Sequence, residues 1–422
     1  MELLILADDL TGALDTGVQF SRQGVRTIVT SELNPAGADP DLDLNKVTVL
    51  VVDTESRHLA GRQAYERVRE AVERFSRGRD CYYYKKTDSL LRGNVGSELK
   101  ALMDAVETDS LMFVPSFPGT GRTTREGVQY LHDTPIHETS FAEDLLNPIL
   151  TSDVASIARS GGGDVVTVPV DLERIRGRTF QILKHYDPPE KTVYIFDAVT
   201  DRDLAEIGGN LKEQRLLRFT AGCAGFAGIL PELLGLPRSS PERIDPKAPL
   251  LVVCGSLTEL SHRQLAYAQR FGFSRIPMEV RDLLMSGLPR KEPGLRIVED
   301  TVSCLKRGGN CIIAVRQIKE GGGGALVSGR GTDRDRASGI IADNLAGIVE
   351  EVLCHFPLST LVVIGGDTAM ALLKKLRIDF LTPVEELVPG VPLSRAGDLC
   401  LITKSGGFGS EDVLVQIRNR LK

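Results

Sequence analysis

Short continuous apolar runs, each closed by a polar or glycine-rich turn and followed by a helical stretch, recur along this 422-residue chain. Residues 3–6, 47–52, 82–85 and 111–114 lack the polar/apolar alternation of a half-exposed strand, as expected of strands buried on both faces. Helical stretches separate them: one from the turn at 8–11 to about Gln23, where Gly24 is placed to stop it, and others over 61–77 and 94–107. Further strands are expected at 25–30, 165–170 and 192–196. Such alternation predicts an α/β fold built on a mostly parallel sheet flanked by helices.

The segment 236–249, LPRSSPERIDPKAP, breaks the pattern with four prolines and few large apolar groups. It reads as a linker between a first domain over 1–235 and a second over 250–422. The second domain repeats the alternation, with strands at 250–253, 311–315, 361–364 and 399–403, a long helix near 335–353 and a last helix to 421. The glycine run 321–324 reads as a solvent-exposed connector.

A net charge of −6 without a basic run argues against nucleic acid or an anionic membrane as a partner. The absence of Trp and the 5% aromatic content argue against a base-stacking surface. Seven cysteines, an odd number without CxxC spacing, read as free thiols buried in a reducing compartment. The N-terminal apolar run has no basic flank and stops at Asp8-Asp9, unlike a signal peptide. No apolar stretch approaches the ~20 residues that span a bilayer, so the expected location is the cytoplasm.

The turns after the strands carry the chemistry. Three glycine-rich turns lie in the second domain: Cys254-Gly255-Ser256, Gly365-Gly366-Asp367-Thr368-Ala369, and Lys404-Ser405-Gly406-Gly407-Phe408-Gly409. In a parallel sheet all three would lie at the carboxyl edge, where glycines admit a phosphate and helix N-termini present unpaired N–H groups. No Walker motif, strict GxGxxG or protein-kinase signature is present.

In the first domain, Asp8 and Asp9 follow the first strand, where paired acids can orient a hydroxyl, accept its proton or hold a metal. One is expected to cap the following helix and the other to act, without a choice between them. The turn Lys85-Lys86-Thr87-Asp88-Ser89-Leu90-Leu91-Arg92-Gly93-Asn94 gathers cations, an acid and a hydroxyl, with Arg92 suited to a bidentate carboxylate and Lys86 to a point charge. Asp53-Thr54-Glu55-Ser56-Arg57 offers a similar mixture, and Arg122 follows another strand. His132 and His137 are off one helical face and complete no zinc site, and His262 reads as a surface or capping group. No nucleophile elbow or Cys-His pair is visible.

These motifs resemble the four-carbon acid sugar kinase family. The resemblance rests on Ala7-Asp8-Asp9-Leu10-Thr11-Gly12-Ala13, Thr54-Glu55-Ser56-Arg57, Lys86-Thr87-Asp88-Ser89 with Leu91-Arg92-Gly93-Asn94, and Gly121-Arg122-Thr123. It continues through His137-Glu138-Thr139 with Phe141, Ala142 and Asp144, then Gly365-Gly366-Asp367-Thr368 and Lys404-Ser405-Gly406 with Phe408-Gly409, in the family's order from residue 7 to about 409. Leu90 stands where the family pattern has threonine.

The resemblance implies two α/β domains with the active site in the cleft between them, the first holding a small anionic sugar acid and the second ATP with Mg²⁺. Expected catalytic residues are Asp8 and Asp9. Expected substrate contacts are Arg57, Lys86, Asp88, Ser89 and Arg92. Expected nucleotide contacts are Ser256, Gly365, Gly366, Asp367, Thr368, Ala369, Lys404, Ser405, Gly406 and Gly407, with metal ligands unassigned. The implied reaction moves the ATP γ-phosphate to the terminal hydroxyl of threonate, erythronate or 3-oxo-tetronate, and a homodimer is one expected assembly. The rival readings are a nucleotide-dependent oxidoreductase on a hydroxy acid, which predicts a dinucleotide fingerprint, and a non-catalytic sugar-acid sensor.

Overall fold

The computed structural model describes the chain except residues 34–45, 78, 144–146, 163–164, 182–190, 257, 316–331 and 422. The glycine run 321–324 and Asp144 lie outside the described residues. The chain divides into two compact units, Met1–Pro241 and Glu242–Lys422. Both are α/β, as expected.

In the first unit, β1 (Leu3–Ala7), β2 (Thr27–Thr30), β3 (Val49–Asp53), β4 (Tyr82–Lys86) and β5 (Ser110–Val114) alternate with the helices Leu10–Ser21, Gly61–Ser76 and Val95–Ala105. A small antiparallel sheet follows: β6 (Arg122–Arg125), β7 (Val128–Leu131) and β8 (Thr134–Pro135). The main sheet then gains β9 (Val166–Val170), β10 (Thr192–Phe196) and β11 (Phe219–Gly222). Its order is β2-β3-β1-β4-β11-β5-β10-β9, with every pair parallel. Each residue of β1 and β3 is buried, which is why their sequences do not alternate. From β1 the chain winds out to β2 and β3, then crosses to β4 and winds the other way. The reversal leaves a crevice at the carboxyl ends of β1 and β4, the place where doubly wound sheets bind ligands.

The second unit holds β12 (Leu250–Cys254), β13 (Ser274–Met278), β14 (Cys311–Val315), β15 (Thr360–Ile364), β16 (Phe380–Val388), β17 (Val391–Ala396) and β18 (Leu399–Lys404). The order β13-β14-β12-β15-β18 is parallel, and β18-β17-β16 is antiparallel. Here winding reverses between β12 and β15. The core packs Val252, Cys254, Ile312, Val362, Ile364 and Ile402 against Leu265 and Ile417 of the covering helices Glu259–Arg270 and Val413–Arg420.

Several elements are absent from the sequence reading. The β6–β7 hairpin turns on Glu126 and Gly127, both at positive φ (51° and 73°), the two-residue geometry that matches strand twist. Its strands RTTR and VQYL carry too few large apolar residues to stand out. Prolines and glutamates dilute the apolar signal of β16 and β17, which turn at Pro389-Gly390. Five of the seven thiols are buried, whereas Cys354 is exposed and Cys400 half-buried; all seven are free. His262, read as a surface or capping group, is buried within the helix Glu259–Arg270.

Candidate active site

Strand register sets the first unit's site. Ala7 lies beside Asp53 on one side and Lys86 on the other, Lys86 beside Gly222, and Gly222 beside Val114. Whatever follows β3, β1, β4, β11 and β5 therefore emerges along one edge.

Asp8 is 2% exposed, and its Oδ2 accepts from Arg57 Nε at 2.8 Å. Its Oδ1 is buried without a hydrogen-bond partner among the described residues. Asp9 is fully engaged. Its Oδ1 accepts from the Gly12 amide (2.8 Å) as the N-cap of the helix, and its Oδ2 accepts from Thr11 Oγ1 (2.6 Å) and Arg57 Nη1 (2.7 Å). Arg57 Nη2 also lies 3.6 Å from Asp88 Oδ1. Asp88 in turn receives a bidentate pair from Arg92, Nε to Oδ2 at 2.8 Å and Nη2 to Oδ1 at 3.0 Å. Thus Asp8, Asp9, Arg57, Asp88 and Arg92 form one chain of ion pairs, hydrogen-bonded except between Arg57 and Asp88.

Burial alone would raise Asp8, but the charges of Arg57, Lys85 and Lys86 outweigh it and hold the carboxyl below its usual range. Asp88 likewise sits well below the ordinary value, with Arg92 and Arg57 overcoming burial. Asp53 goes the other way. It is buried at the end of β3, its Oδ1 accepts from the Glu55 amide (2.8 Å), and desolvation pushes it well above its ordinary value, with Asp9, Glu55 and Asp8 adding to the rise.

Adjacent lysines on β4 point to opposite faces. Lys86 Nζ donates to the Thr87 carbonyl (2.9 Å), which leaves ammonium protons for another acceptor. A Cβ on Gly12 would lie 3.0 Å from that Nζ and 2.7 Å from Asp9 Oδ1, so any side chain here would press on both groups. Lys85 is buried in an ion pair with Glu98 Oε2 (2.9 Å; side chains 0% and 1% exposed) and donates to the Leu6 and Lys86 carbonyls. Ser56 Oγ donates to Glu98 Oε1 (2.5 Å), tying the Arg57 loop to the same pair. Period-two alternation on β4 would have separated the two lysines, but nothing local marks Glu98 as the partner.

Gln129 likewise carries no local sequence signal. It is buried on β7, donates from Nε2 to the Ser89 carbonyl (3.1 Å) and accepts from Thr124 Oγ1 (2.7 Å), so the small sheet supports the 87–92 turn. Arg122 is buried beside this network, with Nη1 donating to the Thr120 carbonyl.

In the second unit the three glycine-rich turns meet. A Cβ on Gly255 would fall 2.0 Å from Thr368 Oγ1, and one on Gly406 would fall 2.5 Å from Ser256 Oγ. Thr258 Oγ1 donates to the Gly406 carbonyl at 3.1 Å, and Ser261 Oγ donates to Ser256 Oγ at 3.0 Å while lying 3.4 Å from the same carbonyl. The helix Gly366–Leu376 starts here with no side-chain cap on its amides, Asp367, Thr368 and Ala369 forming its first turn. Gly407 follows Gly406 in the third turn, but Lys404 is buried and directs its ammonium into its own turn rather than outward.

Family models match both halves: a sugar-binding N-terminal domain over residues 3–230 and a nucleotide-binding C-terminal domain over 251–414. The chain is 30% identical to a D-threonate kinase of Salmonella typhimurium, over 98% of this chain and 97% of that one. It is 29% identical to a D-erythronate kinase of Heliobacterium modesticaldum (97% and 94%) and 28% identical to a 3-oxo-tetronate kinase of Methylobacterium radiotolerans (96% and 96%). Its fold is similar to the crystal structure of Haemophilus influenzae protein HI1011, with a TM-score of 0.69 at 18% identity over 99% of both chains. A Salmonella typhimurium LT2 protein superposes with a TM-score of 0.76 at 20% identity over the full length of both chains. With a sugar-binding model on one unit, a nucleotide-binding model on the other, and kinases matching from end to end, the chain belongs to the four-carbon acid sugar kinase family.

Proposed function

We propose that this kinase transfers the γ-phosphate of ATP to the terminal hydroxyl of a four-carbon sugar acid, of the kind named in its threonate, erythronate and 3-oxo-tetronate kinase relatives. The observation that carries the mechanism is the asymmetry of Asp8: one carboxylate oxygen is held by Arg57 and the other has no partner among the described residues. That second oxygen suits the attacking hydroxyl. As the new P–O bond forms and the bond to ADP breaks, the hydroxyl proton passes to Asp8 Oδ1. Asp9, both oxygens engaged, caps the helix and holds Arg57. Lys86 and Arg92, with Arg57, offer cations to the acid's carboxylate, while Asp88 and Ser89 line the same turn.

The nucleotide phosphates fit the turns of the second unit. Ser256, the amides of Gly366 to Thr368 at the uncapped helix start, and Ser405 to Gly407 supply donors, and the missing Cβ of Gly406 lets Ser256 Oγ pack against that turn. Among the described residues no group of three or more His, Cys, Asp or Glu is arranged to hold a metal. Mg²⁺ would enter with the nucleotide, held at the turns that bind the phosphates, and would neutralise their charge. The free thiols suit residence in the cytoplasm.

A coupled ADP-release assay against threonate, erythronate and 3-oxo-tetronate tests the reading. One of them should drive ADP release well above the acid-free rate, and Asp8→Asn should lower turnover by roughly 10²–10⁴-fold, the usual effect of losing a general base. A panel on which no acid stimulates ADP release, or an Asp8→Asn enzyme with normal turnover, would defeat it.

A further inference from the structure

Lys404 closes β18 at the root of the third glycine-rich turn and is 1% exposed. Its Nζ donates to the carbonyls of Ser405 (2.7 Å) and Phe408 (2.9 Å), so both oxygens turn inward. In a trans peptide the following N–H points away from the carbonyl, so the amides of Gly406 and Gly409 face away from the ammonium. Gln264 Nε2 reinforces the inward set, its two N–H groups shared among the carbonyls of Phe408, Gly409 and Ser410, each 3.0 Å away. The Phe408 ring fills the place of a side chain on Gly390, where a Cβ would fall 2.3 Å from its Cδ1. The turn is thus shaped from behind.

We propose that Lys404 is a positioning residue for the nucleotide, never touching it but holding the 405–409 turn so that the amides of Gly406 and Gly409 face a phosphate, with its positive charge beneath them. This deepens the nucleotide reading above and rests on it.

The ammonium's protonation makes the idea measurable. Burial pulls Lys404 down to about 8; Cys254, two strands away at the end of β12, would oppose the shift only if ionised. The Cys254 thiol is itself pushed up to about 11 by burial, so it stays neutral across the range that matters. As pH rises through about 8, Lys404 keeps two N–H groups for the two carbonyls, but the phosphates lose a nearby cation.

Calorimetric titration of the full-length protein with Mg²⁺–ATP between pH 7 and pH 9, with the sugar-acid Kd measured on the same samples, tests this. If only the protonated form binds well, the Kd for ATP should rise about tenfold across that interval while the sugar-acid Kd does not follow. Lys404→Arg, which keeps the charge, should flatten the ATP profile. Lys404→Met should bind ATP weakly at pH 7 with no pH dependence. A flat wild-type ATP profile, an alkaline loss that persists in the Arg variant, or a Met variant binding like wild type would overturn the proposal and leave the nucleotide reading intact. Wild-type protein that binds no ATP at any pH would overturn both. The wild-type profile decides even if a variant fails to fold.

Discussion

Asp8, Asp9 and Asp53 end on one sheet edge, and their contacts give them different charge environments. Asp8 is held low by Arg57 and the lysines of β4, whereas Asp53 is pushed high by burial and by its acidic neighbours. A carboxyl whose folded pKa exceeds its unfolded value leaves stability untouched below the unfolded pKa. Stability is then lost as pH rises from there through the folded pKa, because the unfolded chain gives up its proton first. Asp53→Asn mimics the protonated form, so its Tm advantage over wild type should grow with rising pH and vanish in acid. A melting series from pH 4 to pH 9 checks this, and a variant less stable than wild type at pH 9 would refute it. Gly12→Ala belongs to the same scale: its methyl would press on Asp9 Oδ1 and Lys86 Nζ, so KM for the sugar acid should rise several-fold while KM for ATP holds. Equal KM values for the acid in both proteins would count against the placement of Lys86 in the site. The sequence made the Asp8-Asp9 pair visible and required one of them to cap a helix. It could not choose, because capping depends on backbone angles: Asp9 adopts φ −147° and ψ 161°, which bring its oxygen to the Gly12 amide.

Elements carry the buried polar chemistry that local sequence conceals. The helix Val95–Ala105 brings Glu98 under the site to meet Lys85, and Lys85 also bonds the carbonyl of Leu6, two residues before Asp8. Removing one partner of a fully buried pair leaves an uncompensated charge, typically costing about 3–5 kcal/mol, whereas replacing both with apolar groups of similar size is often near neutral. Lys85→Met should therefore destabilise strongly in denaturant unfolding, and Lys85→Met with Glu98→Leu should recover most of the loss. A double variant no more stable than the single one would show that the pair is not the cause. The buried parallel strands were legible because a strand covered on both faces must be apolar along its length. The β6–β7 hairpin was not, although its Glu126-Gly127 turn is pinned by Asp197, which accepts both amides at 2.7 and 3.0 Å. Its stability comes from that distant carboxylate and from Gln129 rather than from an apolar pattern in its own strands.

At the scale of the molecule, each unit places its candidate site where strand order reverses, between β1 and β4 in one and between β12 and β15 in the other. The sequence marks which turns follow strands, but strand order arises from packing between distant segments and leaves no local trace. The site residues therefore read as separate turns, and only the order gathers the turns after β1 and β4, or after β12 and β15, into one crevice. This division has a measurable consequence. A ligand that binds the native state suppresses the opening reactions that expose the amides it covers, by up to about 2.7 kcal/mol at a hundredfold excess over Kd. Hydrogen exchange with saturating ATP should then slow the amides of 255–262, 365–370 and 405–409, while the sugar acid should slow those of 8–13, 54–57 and 86–94. Protection by ATP centred on 8–13, with 405–409 exchanging as in the free protein, would mean that the glycine-rich turns serve the fold rather than the phosphate. The two ligands would then have to be reassigned between the units, starting from the sheet edge that holds Asp8.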